Sequence, residues 1–143
     1  MTTQPQAYRG ERLGLPAAGS GSLADPLPRI AAFAVDCIAS ALVAAVFVAG
    51  FHRHGDAASR LPGSWSLIPF VLDYVFGLLL AGRTVGMYLF GLRVIRVDRQ
   101  APINVPQAVE RTLLLCVLIP AVIWDRDGRG LHDRLTRTAV VRA

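Results

Sequence analysis

The stretch RIAAFAVDCIASALVAAVFVAGF, residues 29–51, decides the fold. Asp36 is the only charged side chain among the 22 residues from Ile30 to Phe51. A helix rises about 1.5 Å per residue, so a segment of this length crosses a hydrocarbon core of about 30 Å. We therefore predict that residues 30–51 span a membrane, with one carboxylate placed inside it.

A second apolar segment, residues 65–81, repeats this pattern. The stretch FVLDYVFGLLLAGRTVGMYLFGLRV, residues 70–94, carries Asp73 in the middle of its apolar part. Trp65 stands where aromatic side chains meet the membrane surface. The glycines that follow predict that the chain leaves the bilayer and turns. Segments 30–51 and 65–81 are therefore expected to form a helical hairpin.

The third apolar segment, residues 107–124, is weaker. Glu110 and Arg111 lie near one end and Pro120 near the other. The segment either spans the membrane or re-enters it and returns to the same side. If it returns, one side holds 13 of the 15 arginines, all but Arg53 and Arg60. The excess of positive charge on cytoplasmic segments favours this arrangement, with a cytoplasmic N-terminus.

Composition agrees with a membrane protein, since 53% of the residues are hydrophobic, 17% are charged and the mean hydropathy is +0.45. Residues 1–28 are rich in Gly, Pro, Ala and Ser, and we expect a disordered tail before a membrane domain at 29–143.

LRVIRVD at 92–98 and TAVVR at 138–142 favour strands and are expected to pair. The predicted fold is an all-α integral membrane protein with small juxtamembrane β elements.

The basic character comes from 15 arginines without lysine, and the formal net charge is +5. These arginines flank apolar segments instead of alternating with aromatic residues, so nucleic-acid binding is not expected. No phosphate-binding loop, nucleophile elbow or zinc motif is present. We predict neither an enzyme nor a cofactor nor a metal site, and the lipid bilayer is the first expected partner.

Helical spacing relates the charged residues to one another. Arg29 and Asp36 are seven residues apart, so they share a helix face. Asp36 and Asp73 fall at similar depth in a hairpin, with Arg83 at the rim. We predict that the two carboxyl groups face each other, with Arg29 close to Asp36. Such a cluster serves either proton or cation exchange or a structural clamp between helices, and both readings stay open.

These residues carry a resemblance to a known protein family. Arg29, Asp36 and Asp73 resemble the arginine and two aspartates that name the RDD family of membrane proteins. GRTVGMYLFGLRVIRVD and RGLHDRLTRTAVV resemble two further motifs of that family. Met87 and the pair Thr136-Arg137 depart from its pattern. The resemblance covers roughly residues 28–142, and the motif residues it points to are Gly82, Thr84, Gly86, Gly91, His132 and Asp133.

The resemblance implies an integral membrane domain for which transport is usually proposed, with cation/proton exchange among the ideas. We therefore expect a small multi-pass protein of a bacterial plasma membrane that acts as a transporter module. Two or three helices are too few to enclose a pathway, so a homo-oligomer or a larger membrane complex is expected. The alternatives are a non-transporting assembly subunit and a platform for anionic lipids.

Overall fold

The structure is a computed structural model that describes residues 7–52, 63–99, 101–117 and 129–143. Within these residues the protein is mostly helical, with one small antiparallel sheet of two strands. A short 3-10 turn, Gly63–Ser66, leads into the second long helix. The elements are α1 Pro26–His52, α2 Leu67–Ala81, α3 Val85–Leu89, β1 Leu92–Arg96, α4 Val105–Cys116, α5 Leu131–Leu135 and β2 Thr138–Arg142.

The long helices α1 and α2 expose their apolar side chains. Ile38, Val46 and Leu80 are 60%, 72% and 84% exposed, whereas Asp36 is fully buried. A soluble protein places such residues the other way round. The segments Pro26–Gly50 and Ser64–Ala81 are each long and apolar enough to cross a membrane.

Prolines begin α1 and a glycine ends α2. Pro26 and Pro28 lie inside the first turn of α1, which therefore begins before the predicted domain start at residue 29. Proline is tolerated there because the first N–H groups of a helix have no intrahelical acceptor. Gly82 ends α2 in the left-handed region, at φ 67°, and its N–H returns to the Gly77 and Leu78 carbonyls.

The predicted pairing of the two strands is confirmed. β1 and β2 are antiparallel, with Val94 opposite Val140 and Arg96 opposite Thr138. The first face of the sheet packs on the helices through Leu92, Val94 and Val140. Because the strands share one sheet, both lie on the same side of the long helices.

Residues 7–25 do not form the disordered tail that was expected. Leu15 and Leu23 are 3% and 8% exposed, and they pack on the second face of the sheet. Residues 22–24 also run beside β2, where the Ala24 N–H donates to the Val140 carbonyl over 2.9 Å. An open strand edge and an uncovered apolar face both favour a partner, and this segment supplies one. Residues 1–6 lie outside the described part of the chain.

The helix α4 forms the first half of the predicted segment 107–124. It opens with a capping box, in which Asn104 accepts from the Gln107 N–H over 3.3 Å. One face of α4 is buried, and on it lie Ala108, Arg111, Thr112 and Leu115. The second half of the predicted segment, residues 118–124, lies outside the described residues.

Candidate functional site

Asp36 lies at the centre of the helical core with no exposed surface. The Thr84 hydroxyl donates to Oδ2 over 2.6 Å, and the Gly86 N–H donates to Oδ1 over 2.6 Å. Each carboxylate oxygen therefore has its own donor, which offsets part of the cost of removing the group from water. Thr84 also caps α3, because its hydroxyl accepts from the Met87 N–H over 3.3 Å.

Gly86 lets α3 come close enough to α1 to make these bonds. A Cβ at this position would overlap the backbone oxygen of Ala32 and would lie 2.8 Å from Oδ1 of Asp36. Any larger residue therefore pushes the two helices apart. The motif residues Thr84 and Gly86 hold Asp36 directly, and the buried Met87 packs in the core beside them.

The structure brings the carboxyl groups of Asp36 and Asp73 together. The Asp73 side chain is half-buried and lies against the Asp36 carboxyl group and the Val85 N–H. The Tyr74 hydroxyl is also hydrogen-bonded to Asp36, and this tyrosine is 1% exposed. The Phe70 ring packs on Tyr74 at a centroid distance of 4.6 Å. The result is a compact group of three titratable side chains.

Arg29 was expected beside Asp36, but the partner that the structure gives it is Asp133. Nη2 of Arg29 forms an ion pair with Oδ2 of Asp133, across 104 residues of sequence. Nη1 of Arg111 pairs with Oδ1 of the same carboxylate. Asp133 is fully buried, so the ion pairs join α1, α4 and α5 inside the protein. Arg29 and Arg111 thus share an ion pair with Asp133, and Asp73 lies beside Asp36.

The remaining predicted residues lie around this centre. Arg83 follows α2 and places its guanidinium 4.6 Å from the centre of the Tyr88 ring, at the rim. Gly82 accepts from the Val94 N–H over 2.7 Å and so ties α2 to the sheet. Gly91 turns the chain into β1 at φ 61°. The His132 Nε2 lies 3.4 Å from Oδ1 of Asp133.

Two residues of the site were missed at the level of sequence. Arg111 is 1% exposed, although its sequence neighbours made it look like an end of the third segment. A charge inside an apolar segment was the signal that identified Asp36, and the same signal identifies Arg111. Tyr74 directly follows Asp73 and carried no separate signal, since an aromatic residue in an apolar helix usually faces lipid or core.

Five charged or titratable side chains thus form two groups between the helices: the Asp36–Asp73 pair, and Arg29 and Arg111 with Asp133. Among the described residues, no group of three or more His, Cys, Asp or Glu side chains has the arrangement of a metal site. The chemistry open to these five groups is ion pairing and the binding and release of protons.

Two apolar helices with exposed apolar faces, and a charge cluster buried between them, indicate a membrane protein. The model of the RDD family matches residues 23–137, and the chain therefore belongs to the RDD family. The searches among curated proteins and among solved structures found no match.

Proposed function

We propose that the protein is a transporter module that exchanges a cation for a proton through the Asp36–Asp73 pair. The observation that supports this is the contact between the two carboxyl groups in the core. Two neighbouring carboxylates repel each other away from water, and one shared proton removes that repulsion. The pair is thus a site that takes up and releases a single proton.

Charge balance explains why a cation takes the place of that proton. With all five groups ionised, the two arginines meet three carboxylates. Charge in a bilayer costs about 2.5–3.5 kcal/mol or more per group, which favours a neutral cluster. One proton makes the cluster neutral, and its release leaves one negative charge. A monovalent cation restores neutrality, which couples its movement to that of the proton.

We place the N-terminus in the cytoplasm and propose that segment 107–124 enters and leaves the membrane by that same face. The strand pairing and the Arg29–Asp133 ion pair support this, because both join the chain after residue 129 to the N-terminal side of the hairpin. The 13 arginines on that side agree with the usual charge bias. The plasma membrane is the proposed location.

Sidedness is tested with single cysteines in a variant lacking both natural ones, Cys37→Ser with Cys116→Ser. Arg99→Cys and Ala143→Cys report on the two ends of the sheet region. We expect an impermeant thiol reagent to label neither in intact cells and both in inside-out vesicles. Labelling of residue 143 alone from outside would show that segment 107–124 crosses the membrane.

Transport is tested by flux into proteoliposomes under a pH gradient, with a panel of monovalent cations. Asp73→Asn keeps the size and the hydrogen-bonding capacity of the side chain and removes the titratable group, so pH-driven flux should be lost. Asp25→Asn, an exposed aspartate outside the core, is the matched control and should retain flux. Unaltered flux in Asp73→Asn contradicts the proposal and favours a structural clamp.

A non-transporting assembly subunit is the second candidate, and the outer face of α4 favours it. Val105, Leu113 and Val117 are 58%, 59% and 59% exposed and follow one another at multiples of four residues, so they form one apolar stripe. A helix of a partner subunit packs well on such a stripe. Co-purification of a defined partner in mild detergent, lost in Leu113→Gln and kept in Glu110→Gln, supports this alternative.

A further inference from the structure

Arg111 is a fully buried cation whose partners among the described residues do not satisfy all of its N–H groups. It is 1% exposed, and its Nη1 pairs with Asp133 and donates to the Thr138 hydroxyl over 3.0 Å. Its Nε–H is buried and has no hydrogen-bond partner among the described residues. An unsatisfied donor on a buried cation costs free energy, and its presence calls for an explanation.

The need to neutralise Asp133 does not explain why Arg111 is buried beside it. Arg29 already pairs with the other oxygen of that carboxylate, so one guanidinium is enough for its charge. The second guanidinium leaves one surplus positive charge in the core, which costs several kcal/mol unless another group offsets it. Among the described residues, the nearby carboxyl groups that can supply this compensation are those of Asp36 and Asp73.

Tyr74 connects Arg111 to such a group. The Tyr74 side chain interacts with Asp36 through its hydroxyl and also interacts with Arg111. α4 packs directly on α2, and Ala108 and Leu115 share one apolar cluster with Tyr74. The surplus positive charge therefore faces the Asp36–Asp73 pair across one tyrosine.

We infer that Arg111 is a positioning residue that holds the Asp36–Asp73 pair at one negative charge, acting across Tyr74. This inference rests on the proposed role of the pair as a proton site and adds the group that tunes it. The titratable and charged groups that face the pair and Arg111 come from three helices of the described chain: Arg29 and Cys37 from α1, Tyr74 from α2, and His132 and Asp133 from α5.

The test follows the carboxyl proton by infrared spectroscopy of the full-length protein in lipid nanodiscs. The C=O stretching band of a protonated carboxyl group disappears when the pair loses its proton, and Asp73→Asn assigns the band. In Arg111→Gln the pair loses a nearby positive charge that favours its ionised form. We expect the midpoint of the band to move to higher pH by about one unit.

Two further variants separate charge from folding. Arg111→Lys keeps the positive charge and should titrate like the natural protein. Arg134→Gln removes an exposed arginine of α5 and should leave the band unchanged. A folded Arg111→Gln protein with an unshifted band overturns the inference. If Arg111→Gln does not fold, Tyr74→Phe tests the same connection, since loss of the hydroxyl donor to Asp36 should also move the midpoint upward, and an unshifted band again overturns it.

The infrared signal does not depend on transport. The exchange function and the role of Arg111 can therefore be contradicted independently of each other. A natural protein without flux whose band shifts in Arg111→Gln contradicts the exchange function and retains the role of Arg111. Flux that is lost in Asp73→Asn, together with an unshifted band in Arg111→Gln, supports exchange and removes Arg111 from the site.

Discussion

The protein uses the same pair of residue types in two very different surroundings. In the helical core, Arg29 and Arg111 meet Asp133 with side chains that are at most 10% exposed. On the surface of the sheet region, Arg142 meets Asp25 over 2.5 Å with both side chains about half exposed. The contacts look alike, but water reaches one pair and not the other.

The difference teaches that burial decides what an ion pair does, and contact geometry alone does not. An exposed pair contributes about 0–1 kcal/mol, because water competes with it and salt screens it. A buried pair adds little over an apolar contact, yet loss of one partner costs about 3–5 kcal/mol because a charge is left in the core. The core cluster fixes helix positions, whereas the surface pairs leave stability almost unchanged.

The largest expected effect comes from Asp133→Asn. The change removes the buried carboxylate that Arg29 and Arg111 share, and we expect the free energy of unfolding to fall by about 3–5 kcal/mol. Denaturant unfolding in detergent measures this loss. Asp25→Asn is the control on the surface and should change the free energy of unfolding by less than about 1 kcal/mol. Equal losses in the two variants would show that burial does not separate the regions.

Gly86→Ala should have the next largest effect. The added methyl overlaps the Ala32 carbonyl and crowds Asp36, so α3 must move away from α1. Overpacking of this kind costs about 1–3 kcal/mol. Gly50→Ala is the matched control because nothing lies within 4 Å of an added Cβ there. A Gly86→Ala protein as stable as the control would contradict the close approach of the helices.

The sequence predicted some parts of this molecule well for physical reasons. A carboxylate in an apolar segment must be buried against partners, and this requirement alone singles out Asp36 and Asp73. The two strand-forming runs stood outside the apolar segments, so they were expected to pair with each other. Depth in the hairpin brought Asp36 and Asp73 together because helical rise is nearly constant.

Other parts could not be read from the sequence. Arg29 and Asp133 are 104 residues apart, and no periodicity relates positions at that distance. Arg29 was assigned to Asp36 because their spacing of seven residues places both on one helix face. The packing of Leu15 and Leu23 was missed because these residues lie singly in a Gly- and Pro-rich segment, and their apolar partner is a sheet face formed by distant strands.

Arg137→Gly should stabilise the sheet region slightly. Arg137 is the only non-glycine residue with positive φ in the described chain, at φ 52°, directly before β2. The left-handed region costs a residue with a Cβ about 1–2 kcal/mol, and glycine escapes that cost. We expect a gain of about 1 kcal/mol in the free energy of unfolding. Arg137→Ala retains the Cβ and should show no gain, so an equal gain in both variants would assign the effect to the side chain.

The smallest expected effect lies at the exposed end of the sheet, where the Arg96 guanidinium contacts the Asp98 carboxylate over 2.7 Å. Hydrogen bonding from Arg96 lowers the pKa of Asp98 below its usual value of 3.8. Because this pKa is lowered in the folded state, the Arg96–Asp98 contact makes its full contribution to stability at pH values above 3.8. The contribution is lost as the pH falls through the pKa that Asp98 has in the folded protein. Asp98→Asn removes the titratable group, so its Tm should lie slightly below that of the natural protein at neutral pH. The two Tm values should converge in more acidic solution, and also at 1 M salt, where the screening length is about 3 Å. A difference that widens as the pH falls would mean that the pair opposes folding. Convergence instead places this pair with the other solvated contacts, whose contribution to stability is weak and sensitive to salt. We expect the opposite for the buried ion pairs of Asp133.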